Sequence, residues 1–142
     1  MQQLDNLVKI NQLKLEAPDQ KEFDGLLESG RRQLRDAQVE GLSSEGKFSL
    51  AYGAAHAFSV AAIRWYGYRS SNRHTVFKCL QYTVGFEAAQ WRVLDECHRQ
   101  RNLAEYQGEL EITEQLLAEL LATSIELLER VEALGSAPDS PA

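Results

Sequence analysis

The stretch Lys47-Phe48-Ser49-Leu50-Ala51-Tyr52-Gly53-Ala54-Ala55-His56-Ala57-Phe58-Ser59-Val60-Ala61-Ala62-Ile63-Arg64-Trp65-Tyr66 decides the fold. Phe48, Ala51, Tyr52, Ala55, Phe58, Ala62 and Trp65 recur at helical spacing and form a wide apolar face. Its many alanines allow close helix–helix approach, so the pattern predicts a central helix over about 47–66. The most apolar part, Ala51 to Trp65, contains Gly53, His56 and Arg64 and is too short to span a bilayer.

Working outward, Gly41 and the Ser43-Ser44 pair separate this helix from a preceding one. That earlier helix carries Phe23, Leu26, Leu27, Arg31, Leu34 and Ala37, with Asp19 as N-cap and Glu22 three residues on. Leu4, Leu7, Val8, Ile10 and Leu13 suggest a short first helix that closes before Pro18. On the other side, Gly67 to Asn72 reads as a loop, followed by a short helix through Val76, Phe77, Leu80 and Tyr82 that ends near Gly85. A fifth segment, roughly 86–107, stops at Gly108. Thr113 then caps a last long helix through Leu116, Leu117, Leu120, Leu121, Ile125, Leu127, Leu128 and Val131. No useful length alternates with period two. The expectation is an all-α antiparallel bundle of five to six helices in a single domain over 1–134, with 135–142 as a flexible tail.

Composition agrees with a globular chain. At 142 residues one domain can bury a sufficient core, and 44% hydrophobic with 25% charged residues is ordinary. Cys79 and Cys97 are too few for a disulfide framework or a cysteine-built zinc site, which fits a reducing, cytoplasmic setting. The N-terminus has no basic segment followed by an apolar run, so no signal peptide is expected. A net charge of −6 argues against a broad nucleic-acid-coating surface while leaving room for a local basic site. No metal or other cofactor is implied, because no histidines or cysteines fall at ligand spacing on one element.

The chemistry concentrates in the fifth segment. His98-Arg99-Gln100-Arg101-Asn102-Leu103-Ala104-Glu105-Tyr106 packs a guanidinium, a carboxamide, a carboxylate and a phenol into little more than two turns. At about 100° per residue, Asp95, His98, Arg101, Asn102 and Glu105 share one face, beside an apolar stripe of Phe86, Ala89, Val93, Cys97 and Ala104. The plain reading is a solvated face with Arg101 and Glu105 paired at i,i+4, worth a few tenths of a kcal/mol. The sharper one is an anion or phosphate site, with Arg101 as a planar fork of donors and Asn102 as an orienting amide. His56, among alanines, reads as a satisfied core histidine. His74 reads as a structural residue at a helix start, and Trp65 and Trp91 as core or interface anchors.

Phe48, Ala51-Tyr52, Ala55, Ala61-Ala62-Ile63, Gly67-Tyr68-Arg69, Arg73-His74 and Phe77 are followed by Arg101-Asn102-Leu103-Ala104-Glu105-Tyr106 and a leucine-rich final helix. This order resembles the HEPN superfamily (higher eukaryotes and prokaryotes nucleotide-binding), in particular its small stand-alone prokaryotic members, over residues 4–134. The resemblance implies an antiparallel helical bundle, commonly a homodimer. It implies either a metal-independent ribonuclease of a toxin–antitoxin or defence system, or a non-catalytic partner of a nucleotidyltransferase. The family pattern is an Arg, a polar residue, and a His four to six residues after the Arg. Arg101 and Asn102 match its start, whereas Tyr106, Gln107 and Gly108 stand where the His belongs. Arg92 with His98 gives a second register, and His98 recruited to Arg101 from one turn earlier gives a third.

The expected function is therefore an RNA-, nucleotide- or partner-binding helical module that is non-catalytic or weakly active. Its alternative is an active metal-independent ribonuclease toxin that uses Arg101 and Asn102 with His98 or Tyr106. A tyrosine of ordinary pKa is a poor base at neutral pH, so the first carries the expectation. Its partners would be RNA or a nucleotide, a second copy of the chain, and an antitoxin or nucleotidyltransferase, with no membrane.

Overall fold

A computed structural model describes residues 1–108 and 110–138. It contains α1 (Gln2–Lys9), β1 (Lys14–Leu15), α2 (Gln20–Ala37), α3 (Ser44–Trp65), β2 (Tyr68–Arg69), α4 (Arg73–Lys78), α5 (Leu80–Thr83), α6 (Ala88–Gln107) and α7 (Glu114–Glu132). Helices α4 and α5 abut at Cys79 and act as one bent helix, which leaves six helical units among the described residues. The protein is an all-α bundle. None of these helices is long and apolar enough to cross a membrane.

The caps fall where the side chains predict them. Asp19 accepts from the Glu22 amide at 3.2 Å, Ser43 from Gly46 at 3.0 Å and Thr113 from Leu116 at 3.1 Å. Each satisfies an amide that the first helical turn leaves without a partner. Gly108 closes α6 in the left-handed region at φ 72°, where a residue without Cβ is least strained.

Helix α3 is the hub. Phe48, Ala51, Ala54, Ala55, Phe58, Ala61, Ala62 and Ile63 are all buried. Gly30 explains how closely α2 approaches: a Cβ there would stand 2.3 Å from Phe58 Cε1. The α2–α3 contacts pair Glu22 with Arg64 and Gly30 with Phe58, so the two helices run antiparallel. Helix α7 lies on the same hub, with Ser124 Oγ donating to the Ala51 carbonyl at 3.4 Å. Arg31 to Glu132 and Gln20 to Ala137 place it antiparallel to α2. The Ala137 amide donates to Gln20 and the Trp65 indole donates to the Ser136 carbonyl at 3.0 Å, so the start of the tail touches the bundle. Residues 139–142 of the expected tail lie outside the described residues.

Two local features differ from the sequence expectation. The segment 67–72 is more than a loop, because Tyr68 and Arg69 pair antiparallel with Leu15 and Lys14. Two residues per strand are too few to leave an alternating signature. The second is Arg64, 2% exposed on the apolar helix. It donates to Glu22 Oε1 at 2.5 Å, to the Glu16 carbonyl at 2.8 Å, to the Ala17 carbonyl at 2.7 Å and to the Tyr68 carbonyl at 3.3 Å. A buried guanidinium is tolerated only when its donors are satisfied in this way. Burial alone would raise the Glu22 carboxyl, but bonds from Arg64 and Arg69 outweigh it and hold the group below its ordinary range.

Candidate anion-binding groove

Seven of the ten arginines pair with carboxylates: Arg31, Arg32, Arg35, Arg64, Arg69, Arg99 and Arg130. Among the described residues, Arg73, Arg92 and Arg101 form no such pair, and each rests on an aromatic ring. Arg73 and Arg101 lie 5.5 and 5.3 Å from the centroid of the same ring, Tyr52, and Arg92 lies 5.7 Å from Trp91. A guanidinium over an aromatic face leaves in-plane N–H donors for an incoming anion, although Arg73 Nη1 is given to the Tyr52 hydroxyl. In a chain of net charge −6, two such groups around one ring form a local cationic centre.

Tyr52 organises that centre. It is 2% exposed on α3, held between Phe48 and Phe77. Its hydroxyl accepts from Arg73 Nη1 at 3.2 Å and lies 3.0 Å from His98 Nδ1. The tyrosine and histidine rings lie within 6° of parallel and meet edge to edge through that contact. On its other side, His98 Nε2 is 3.3 Å from the Asn102 carboxamide. The imidazole is thus held at both nitrogens. Burial, then the charge of Arg73, depresses its pKa against a smaller opposing pull from Asp95.

The centre opens into a groove of about 550 Å³ along α3, walled by Leu26 and Gln33 of α2 on one side and by Arg73 and Arg101 on the other. His56 lines its floor, half-buried against the edge of Phe77. No described residue hydrogen-bonds its ring, so it is groove wall rather than a satisfied core histidine. Burial, followed by the charges of Arg73 and Arg101, lowers its pKa to about 4. Both imidazoles are therefore neutral at pH 7.

Of the predicted site residues, His98, Arg101 and Asn102 come together on α6. Arg101 turns to Tyr52 and makes no ion pair with Glu105, so the i,i+4 pairing is not formed. Tyr106 is 91% exposed, and it neither lines the groove nor touches His98. In the alternative register, Arg92 sits on Trp91. The polar stripe continues instead through Asp95, whose Oδ1 is 2.7 Å from His74 Nδ1, giving His74 a carboxylate partner that sequence did not supply.

From sequence, Tyr52 stood on the core face, His56 read as a satisfied core histidine, and Arg73 entered only through the family resemblance, with no site role for any of the three. Their signal was the i,i+4 spacing of Tyr52 and His56, with two polar atoms on an otherwise alanine-lined face. A smaller hollow of about 300 Å³ lies between Asn11–Lys14 and Arg69–Asn72, where Glu16 and Glu22 already neutralise Arg69 and Lys14 is the other cation. Neither family models, curated proteins nor solved structures match this chain.

Proposed function

We propose that the chain is a HEPN-like helical module that binds the phosphate of RNA or a nucleotide at the Tyr52 groove. The observation that carries this reading is the pair of guanidinium groups of Arg73 and Arg101, which pair with no carboxylate among the described residues and converge on one tyrosine ring. Two planar forks suit the several oxygens of a phosphate better than a single carboxylate. The reading is of a binding module first, since the tyrosine at the family's histidine position stands out in solvent.

A second reading, metal-independent RNA cleavage, draws support from His56. Among the described residues its ring has no hydrogen-bond partner, and it faces the same groove as both arginines. There it would take the proton of a 2′-hydroxyl while that oxygen attacks phosphorus. The arginines would stabilise the added negative charge, the bond to the 5′-oxygen would break, and that oxygen would take a proton from water. A 2′,3′-cyclic phosphate and a 5′-hydroxyl result.

Titration of a fluorescent single-stranded RNA with the wild type, Arg73→Ala and Arg101→Ala tests the binding reading. Each variant should weaken binding and flatten its dependence on salt by about one counterion. Equal affinity of all three proteins would remove this reading. Cleavage is read from the same RNA on a gel, with His56→Gln as the control. Homodimerisation, and an antitoxin or nucleotidyltransferase partner in a cytoplasmic toxin–antitoxin or defence system, belong to the same proposal and are tested by co-purification.

A further inference from the structure

The hollow beside the β1–β2 pair gathers polar side chains that the fold itself does not use. Between α1 and β1 the chain turns at Asn11 in the left-handed region, at φ 63°. The Asn11 amide donates to the Val8 carbonyl, and the Gln12 and Leu13 amides donate to the Leu7 carbonyl. The turn is thus held through its backbone, and among the described residues the Asn11 and Gln12 carboxamides make no hydrogen bond. Facing them across the hollow are Ser71 and Asn72, which follow β2, and Thr75 from the first turn of α4. Of the lining residues only Leu13 is apolar, and none is aromatic or acidic.

Thr75 marks this hollow as a site. It is 7% exposed; its amide donates to Asn72 Oδ1 at 3.0 Å and its carbonyl accepts from the Cys79 amide at 3.0 Å. Its hydroxyl makes no hydrogen bond among the described residues, although a helical threonine commonly bonds a carbonyl one turn back. Leaving a hydroxyl without a partner in a buried side chain is costly. Among the described residues no fully buried side-chain polar atom lacks a partner, so this hydroxyl opens on the hollow that Thr75 lines.

Charge narrows the ligand. Arg64 and Arg69 are matched by Glu16 and Glu22, whereas Lys14 pairs with no carboxylate among the described residues. One positive charge is therefore left over. A monoanion balances it, while a phosphate dianion would bring excess negative charge toward Glu16 and Glu22. A base ring has no aromatic face to stack on here. Carboxamides and hydroxyls both donate and accept, which matches a ligand bearing several hydroxyls. A volume of about 300 Å³ stands at the small end of ligand sites.

We propose that this hollow binds a small polyhydroxy carboxylate of the sugar-acid class, with the carboxylate on Lys14 and hydroxyls on Thr75 Oγ1 and the Asn72 carboxamide. The site is separate from the Tyr52 groove and stands whatever that groove binds.

Isothermal titration of the whole protein with D-glucuronate, D-gluconate, D-glucose and D-glucose 6-phosphate tests it. At least one of the two acids should bind about tenfold more tightly than glucose or its phosphate. Thr75→Val keeps the shape and removes the hydroxyl. It should weaken the acid about fivefold while leaving the urea midpoint at or above that of the wild type, because no bond of the unliganded fold is lost. Lys14→Gln should erase the preference for the acid over glucose, and the Arg73→Ala/Arg101→Ala variant should bind the acid as the wild type does. Absence of binding by both acids at millimolar concentration overturns the proposal, as does equal or tighter binding of glucose or its phosphate. Acid binding that Thr75→Val and Lys14→Gln leave intact, or that the double arginine variant loses, overturns it too.

Discussion

The hydroxyl of Tyr52 lies 3.0 Å from Nδ1 of His98, and the two rings meet edge to edge within 6° of parallel. This contact ties α3 to α6, and because Arg73 donates to the same hydroxyl it ties α4 to both. Structure and proposed chemistry therefore meet at one oxygen atom. Tyr52→Phe keeps the ring under both arginines and removes the hydroxyl. The variant should lose about 1 kcal/mol of stability in urea unfolding. It should weaken RNA binding several-fold as His98 and Arg73 lose their common anchor, whereas Tyr106→Phe should change neither.

Acid should destabilise the fold through His56. Its folded pKa of about 4 lies below the ordinary 6.5, so the unfolded chain binds the proton more readily. The stabilising contribution is complete above pH 6.5 and is lost as pH falls toward 4. At one pKa unit per 1.36 kcal/mol it amounts to roughly 3 kcal/mol. The lowered pKa of His98 acts in the same direction. Urea midpoints measured from pH 7 to pH 4 should fall, and His56→Gln should flatten that fall.

A bound phosphate reverses the field at His56 and His98. Both pKa values should rise on binding, so the complex takes up protons and affinity increases as pH drops from 7 toward 5.5. Titrations in two buffers of different ionisation enthalpy report the uptake directly. Arg73→Ala relieves part of the depression at both rings in the free protein and should shrink it.

Arg64 should be the most sensitive position outside the groove. Arg64→Ala strips the partners from the Glu16, Ala17 and Tyr68 carbonyls and leaves Glu22 with Arg69 alone. Loss of a buried charge partner typically costs 3–5 kcal/mol, and denaturant unfolding should show about that. Arg64→Lys should recover only part, because one ammonium cannot reach four acceptors in a planar fork.

The long helices, their three side-chain caps and the Gly108 stop were legible in the chain because each rests on residues close in sequence. The α6 stripe was also legible, since helical spacing alone puts Asp95, His98, Arg101 and Asn102 on one side. The Tyr52 centre was not. Its members come from α3, α4 and α6, and only packing decides that Arg101 crosses to Tyr52 instead of reaching Glu105. Arg64 escaped for a similar reason. A charge on an apolar helix is readable, but carbonyls from residues 16, 17 and 68 assemble around it only in the fold. The pairing of β1 with β2 is set by that same cluster and has no periodicity of its own.

The most direct measurement of the central claim is the salt dependence of single-stranded RNA binding by the wild type and the Arg73→Ala/Arg101→Ala double variant. Fluorescence anisotropy between 50 and 200 mM salt should show the double variant binding at least tenfold more weakly at low salt, with a logarithmic slope shallower by about two. Wild-type binding that the double variant reproduces in both affinity and slope would contradict a phosphate site at Tyr52.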